Sequence, residues 1–113
     1  MERVSMSDGV SGEPVEGVYL TKLADGEKTS MQQFTLEAGA TVPEHNHPHE
    51  QIGFVYEGEI TLYSEDGEPM RCREGDSFVI PGGEPHSAEN TGDVEMRGID
   101  IFSPPRTDPD WAE

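Results

Sequence analysis

Short runs in which apolar and polar residues alternate, broken by turn signals about every eight to twelve residues, fill this 113-residue chain. Residues 15–23 predict a first strand, closed by Asp25-Gly26, and residues 31–36 a second, ended by Ala38-Gly39. Residues 51–56 and 60–64 flank Glu57-Gly58, an acidic-Gly hairpin signal. Strands at 69–73, 77–80 and 94–102 follow, the last closed by Pro104-Pro105. No stretch long enough for an ordinary helix carries a helical period. The prediction is an all-β, jelly-roll-like barrel. Residues 1–14 are polar, with Gly9, Gly12 and Pro14, and read as an arm, either mobile or added as a strand to a neighbour. The barrel then spans 15–113 as one domain.

Small barrels alternate interior and exterior positions along each strand. His47, Gln51, Gly53 and Val55 share one parity, and Met96, Gly98, Asp100 and Phe102 share another. Gly53 and Gly98, lacking side chains, would leave room for a ligand. Ile99 and Ile101 face the other way and need cover, which predicts a homodimer.

The chemistry-bearing residues concentrate in two places. His45 and His47 are two apart, so on an extended strand both imidazoles point to one face, and Gln51 keeps that parity. His86 follows the Pro/Gly-rich loop 81–85. Three imidazoles and a carboxamide oxygen suit one divalent transition metal per chain (zinc, nickel, manganese or iron), and because these ligands are neutral the ion keeps its full charge as a Lewis acid. His49 is expected at the rim, Glu44 and Glu50 in solvent, and Asn90 as a turn cap. Asp100 points inward, and Arg106 follows the Pro-Pro corner that folds it over the barrel mouth. An inward acid, a positioned guanidinium and a metal suit a small carboxylate-bearing substrate. The alternative is that Asp100 pairs with Arg97 or Arg106 and only closes the barrel.

The stretch 39–58 resembles the first cupin motif, with Gly39, His45, His47 and Gly58 at the family's spacings and Gln51 where the family usually has Glu. Residues 75–90 resemble the second motif through Gly75, Pro81, Gly83, His86 and Asn90. Together with the ending Asp-Ile-Phe-Ser-Pro-Pro-Arg at 100–106, these motifs are similar to the small KdgF-like cupins of pectin degradation. That resemblance implies a metal on His45, His47, Gln51 and His86, a catalytic Asp100, and substrate contacts from Phe102 and Arg106. It further implies isomerase- or lyase-type chemistry that linearises 4,5-unsaturated uronates to open-chain keto forms. Metal-dependent oxygenation and non-enzymatic small-molecule binding are the alternatives within the same fold, since fold does not fix function.

Charge narrows the setting. Asp and Glu number 24 against 7 Lys and Arg, a formal net charge of −17, which opposes contact with nucleic acid or anionic membranes. Nothing in the sequence is a membrane-spanning apolar run or a secretory leader, and the single Cys72 fits a reducing cytoplasm. The acids are scattered rather than clustered, a pattern that suits a salt-adapted cytoplasm where counterions screen self-repulsion. Added potassium chloride is therefore expected to raise the melting temperature, followed by circular dichroism, and a fall with salt would contradict this reading.

Overall fold

The computed structural model describes residues 1–106. A single turn of 3-10 helix, Met6–Asp8, precedes ten strands: β1 (Ser11–Val15), β2 (Val18–Asp25), β3 (Ser30–Leu36), β4 (Thr41–His45), β5 (Glu50–Glu57), β6 (Glu59–Ser64), β7 (Pro69–Arg73), β8 (Ser77–Ile80), β9 (His86–Glu89) and β10 (Met96–Ser103). They form two antiparallel sheets, ordered β1-β2-β3-β10-β5-β8 and β4-β9-β6-β7. The jelly-roll layout is the expected one, and no described helix is long and apolar enough to cross a membrane.

β7 and β8 fall where the alternation places them, and β2, β3, β5, β6 and β10 differ from their predicted bounds only near the ends. Three strands are additions. Ser11–Val15, of which residues 11–14 were expected in an arm either mobile or added to a neighbour, pairs with β2 of the same chain, Ser11 opposite Thr21 and Gly12 opposite Leu20. β4 and β9 are short and half-exposed, so neither carries a hydrophobic run.

The core lies between the sheets, built on Val18, Phe34, Leu36, Val55, Ile60, Leu62, Phe78, Ile80 and Met96. Its inner ladder sets the site. Across β8, β5, β10 and β3, Ile80, Gln51, Phe102 and Ser30 form one cross-strand row. Phe78, Gly53, Asp100 and Gln32 form the next. The two inward glycines do not open space for a ligand, contrary to expectation. A Cβ on Gly53 would overlap the Phe78 ring, and one on Gly98 would strike the Phe34 ring and lie 2.7 Å from the Phe54 carbonyl oxygen. Core aromatics fill both gaps, because a bare backbone lets a ring lie flat on the sheet.

Candidate metal centre

Four segments converge at one end of the sandwich. His45 ends β4 and sits directly opposite His86 at the start of β9. β4 stops at His45 and β5 begins at Glu50, so His47 lies in the link between two strands and not on one continuous strand with Gln51. The turn swings the chain from one sheet to the other and carries His47 across the gap. One ligand atom from each of His45, His47 and His86 lies within 4.8 Å of the others. Ring centroids are 4.4 Å apart for His45 and His86, and 5.2 Å apart for His47 and His86.

Each of these histidines has its Nδ1 against a main-chain carbonyl: His45 on Pro43 at 2.9 Å, His47 on His49 at 3.2 Å and His86 on Glu84 at 2.8 Å. Donation from Nδ1 leaves the Nε2 lone pair facing inward, the arrangement that orients an imidazole toward a metal. His47 carries the sharper indication. Its Nε2 lies 3.2 Å from Gln51 Oε1, so both ring nitrogens meet carbonyl oxygens. A neutral imidazole has one N–H, and one of these contacts therefore sets two acceptors together. Protonation would satisfy both, yet burial, Arg106 and the neighbouring histidines push the His47 pKa down to about 4. A cation shared by His47 Nε2 and Gln51 Oε1 resolves the conflict. Burial also lowers the pKa of His86, which keeps that ring in its ligating form as well. The residues fit a divalent metal.

Gln51 links this cluster to Asp100. Its Nε2 donates to Asp100 Oδ1 at 3.0 Å, and Gln32 Nε2 donates to Oδ2 at 3.3 Å. Asp100 is buried, and desolvation pushes its pKa up to about 7 against the lowering effect of the two amides and Arg106. Arg97 points outward to Glu95 and Glu57 and takes no part. The Arg106 guanidinium carbon lies 5.4 Å from the centre of the Phe102 ring, and its main-chain N–H donates to Ser30 Oγ at 2.8 Å. A cavity of about 310 Å³ opens beside these groups, its polar lining including Gln32, Glu44, His45, Gln51, His86, Asp100 and Arg106, and its apolar lining Phe34, Ile60, Leu62 and Phe102.

Two neighbours escape sequence reasoning. Gln32, which holds Asp100 from the adjacent strand, is recognisable only as a polar residue at an inward position of β3. His49, expected at the rim, is half-buried and packs edge-on against His47 and Phe102, with its Nδ1 enclosed and unpartnered. Glu44 and Glu50 are exposed. Asn90 is buried, accepting from Gly92 N–H at 3.0 Å and donating to the Leu36 and Val94 carbonyls, so it closes the turn after β9.

A sandwich with this histidine cluster at one end defines a class, and similarity to known proteins names it. Residues 32–102 match the cupin domain, and the chain belongs to the cupin family. It is 31% identical over 103 residues to an oxalate-binding protein of Thermotoga maritima, covering 89% of this chain and 84% of that protein. A 52-residue stretch is 38% identical to the dimethylsulfoniopropionate lyase DddQ of Ruegeria pomeroyi, covering 46% of this chain and 26% of that one. Among solved structures, KdgF from Halomonas sp. superposes with a TM-score of 0.83 at 28% identity, covering 96% of this chain and 97% of that one.

Tag-free protein is expected to hold one divalent ion per chain by elemental analysis. His47→Ala and His86→Ala should each weaken binding at least ~100-fold, extending the effect known for outer partners of metal ligands. Gln51→Glu adds a ligand charge and should tighten binding in a chelator competition; unchanged affinity would mean Gln51 does not touch the metal.

Asp100 makes a separate prediction for the metal-free protein. Its folded pKa of about 7 lies above the ordinary 3.8, so the folded state keeps a proton that the unfolded chain releases. Stability is therefore lost as pH rises between these values and levels off above them. Asp100→Asn removes this loss, with Gln32 turning its amide to accept from the new donor. The variant should be more stable than the parent by at most ~4 kcal/mol above neutrality, and the difference should vanish in acid, as read by urea midpoints.

Proposed function

We propose that this cupin is a metal-dependent isomerase that converts a ring-closed 4,5-unsaturated uronate into its open-chain keto form. The observation that carries the reading is the placement of Asp100. It lies in the cavity beside the histidine cluster and is joined to it through Gln51, with Arg106 at the same polar end. The overlay on KdgF spans nearly both chains. The oxalate and dimethylsulfoniopropionate in the two relatives' names are both small carboxylates, which supports the substrate class.

When bound on His45, His47, His86 and Gln51, a divalent ion supplies Lewis acidity toward substrate oxygens. Arg106 holds the carboxylate, its guanidinium steadied over the Phe102 ring. Asp100 moves the proton. The C1 hydroxyl gives up its hydrogen, the bond from C1 to the ring oxygen breaks to leave an aldehyde, that oxygen becomes the C5 ketone, and C4 gains a proton. One proton leaves oxygen and one arrives at carbon, so a single carboxyl group balances the isomerisation. Gln32 and Gln51 keep that carboxyl aimed into the cavity. The phenyl edge of Phe102 and the apolar depth of the cavity exclude water from the reacting carbon.

The test is loss of the ultraviolet absorbance of the conjugated double bond when metal-loaded protein meets 4,5-unsaturated galacturonate. Asp100→Asn should lower kcat by roughly 100- to 10,000-fold, the usual contribution of a general acid–base, while keeping its metal. Arg106→Ala should act mainly on KM. Equal uronate binding by parent and Asp100→Asn without turnover in either would leave a carboxylate-binding protein, and substrate-dependent oxygen uptake would replace isomerisation by oxygenation.

A further inference from the structure

The cavity changes character one row below the histidines. In the four-stranded sheet His45 stands opposite His86, and Ser64 of β6 stands on the other side of His86. The next row of that sheet, Val42, Ala88 and Leu62, is wholly apolar, and all three side chains line the cavity. In the six-stranded sheet Gln32 and Asp100 stand side by side. The row beyond them holds Leu20, Phe34 and Gly98. Successive rows on one face of a strand lie ~7 Å apart. The lining is therefore polar at the histidine end and hydrocarbon a row or two further in, where Val18, Leu36 and Ile60 continue it. Both carboxamides of the polar part, Gln32 and Gln51, already donate to Asp100.

A uronate carries hydroxyls around its ring, and hydroxyls set against this hydrocarbon wall would lose their hydrogen bonds. An anion with the same head group and an apolar chain matches both parts of the cavity. We propose that the site also takes a second class of ligand, an unbranched monocarboxylate with an apolar chain. Its head group meets Arg106, and its methylenes run along Val42, Ala88, Leu62 and Phe34. The cavity has room for such a chain to leave at its far side. β1 and β4 are edge strands of their two sheets, and the half-buried Val15 and Val42 line the cavity from them. A chain longer than the cavity thus meets apolar side chains on its way to solvent. This inference shares with the uronate reading only the anchor for a carboxylate. It concerns binding, and no bond is made or broken.

Titration calorimetry of the metal-loaded protein with acetate, butanoate, hexanoate and octanoate tests the proposal. Affinity should rise about fourfold for each added methylene, the equivalent of ~0.8 kcal/mol, until the chain outgrows the cavity. Equal affinities along the series overturn it. Hexan-1-ol, which has the chain without the charge, should bind roughly 10-fold more weakly than hexanoate. Equal binding of the two overturns the anchored head group. Val42→Thr keeps the β-branched shape and sets a hydroxyl in the apolar row, so it should weaken hexanoate about threefold and leave acetate unchanged. The same loss for both acids would put the chain elsewhere and overturn the assignment. Hexanoate should also raise KM for 4,5-unsaturated galacturonate without lowering kcat. A rising series in protein that does not turn over the uronate defeats the uronate reading alone. Turnover of the uronate with a flat series defeats this proposal alone.

Discussion

A neutral imidazole held between two carbonyl oxygens is the constraint around which this end of the molecule is organised. His47 meets the main-chain oxygen of His49 on one side and the carboxamide oxygen of Gln51 on the other. Turning the Gln51 amide over relieves the conflict only when Asp100 carries a proton. It would bring an N–H to His47 but set the oxygen against the Asp100 carboxylate, which now accepts from Gln51 Nε2. A cation on the histidine side, or a proton on Asp100, settles the whole chain from His47 through Gln51 and Asp100 to Gln32. A metal held by the histidines and the protonation of Asp100 would therefore be coupled through one side-chain amide. That coupling gives Gln51 a role that Glu, a pure acceptor when ionised, would fill differently: it could bind the ion but could not donate to Asp100.

Two strands do most of the positioning, and each does it on both faces. On β5, Gln51 and Gly53 face inward, Gly53 beneath the Phe78 ring, while Ile52 and Phe54 face out. On β10, Asp100 and Phe102 are buried while Ile101 lies outside between them. A slip of one residue in either pairing would exchange the inward polar set for the apolar set, so burial of the core aromatics against Gly53 and Gly98 holds the site's register as well as the fold's.

The histidines were legible in the sequence because motif spacing around tight turns is local information. His45, His47 and His86 lie in short segments whose Gly and Pro residues announce the turns, and alternation on β10 is enough to turn Asp100 inward. What escaped was non-local or half-exposed. Gln32 reaches Asp100 across 68 residues of chain, so no window contains both. β1, β4 and β9 are short and lack a hydrophobic run, so period alone does not separate them from loop. The two glycines misled for a related reason. Sequence shows that a side chain is missing, and only packing shows that Phe78 and Phe34 occupy the space.

The charge of the molecule and the proposed charge of its substrate have the same sign, and the site's composition answers that problem. At −17, the chain repels an anion at long range. At physiological ionic strength the field decays over about 8 Å, and in concentrated salt over about 3 Å. Inside that distance only the groups at the mouth count, and they are unlike the rest of the surface. Glu50 is exposed and does not line the cavity, and although the exposed Glu44 does, the other polar groups there are imidazoles, two carboxamides, Arg106 and an acid whose ionisation burial opposes. Neutral ligands leave the full charge of an ion available to a carboxylate, and Arg106 adds one more. Salt that screens the acidic exterior thus also shields an incoming anion from it, while an ion held among the buried histidines would be screened far less. The same salt that relieves self-repulsion in the fold would thereby also ease the approach of the proposed anionic substrate to the cavity.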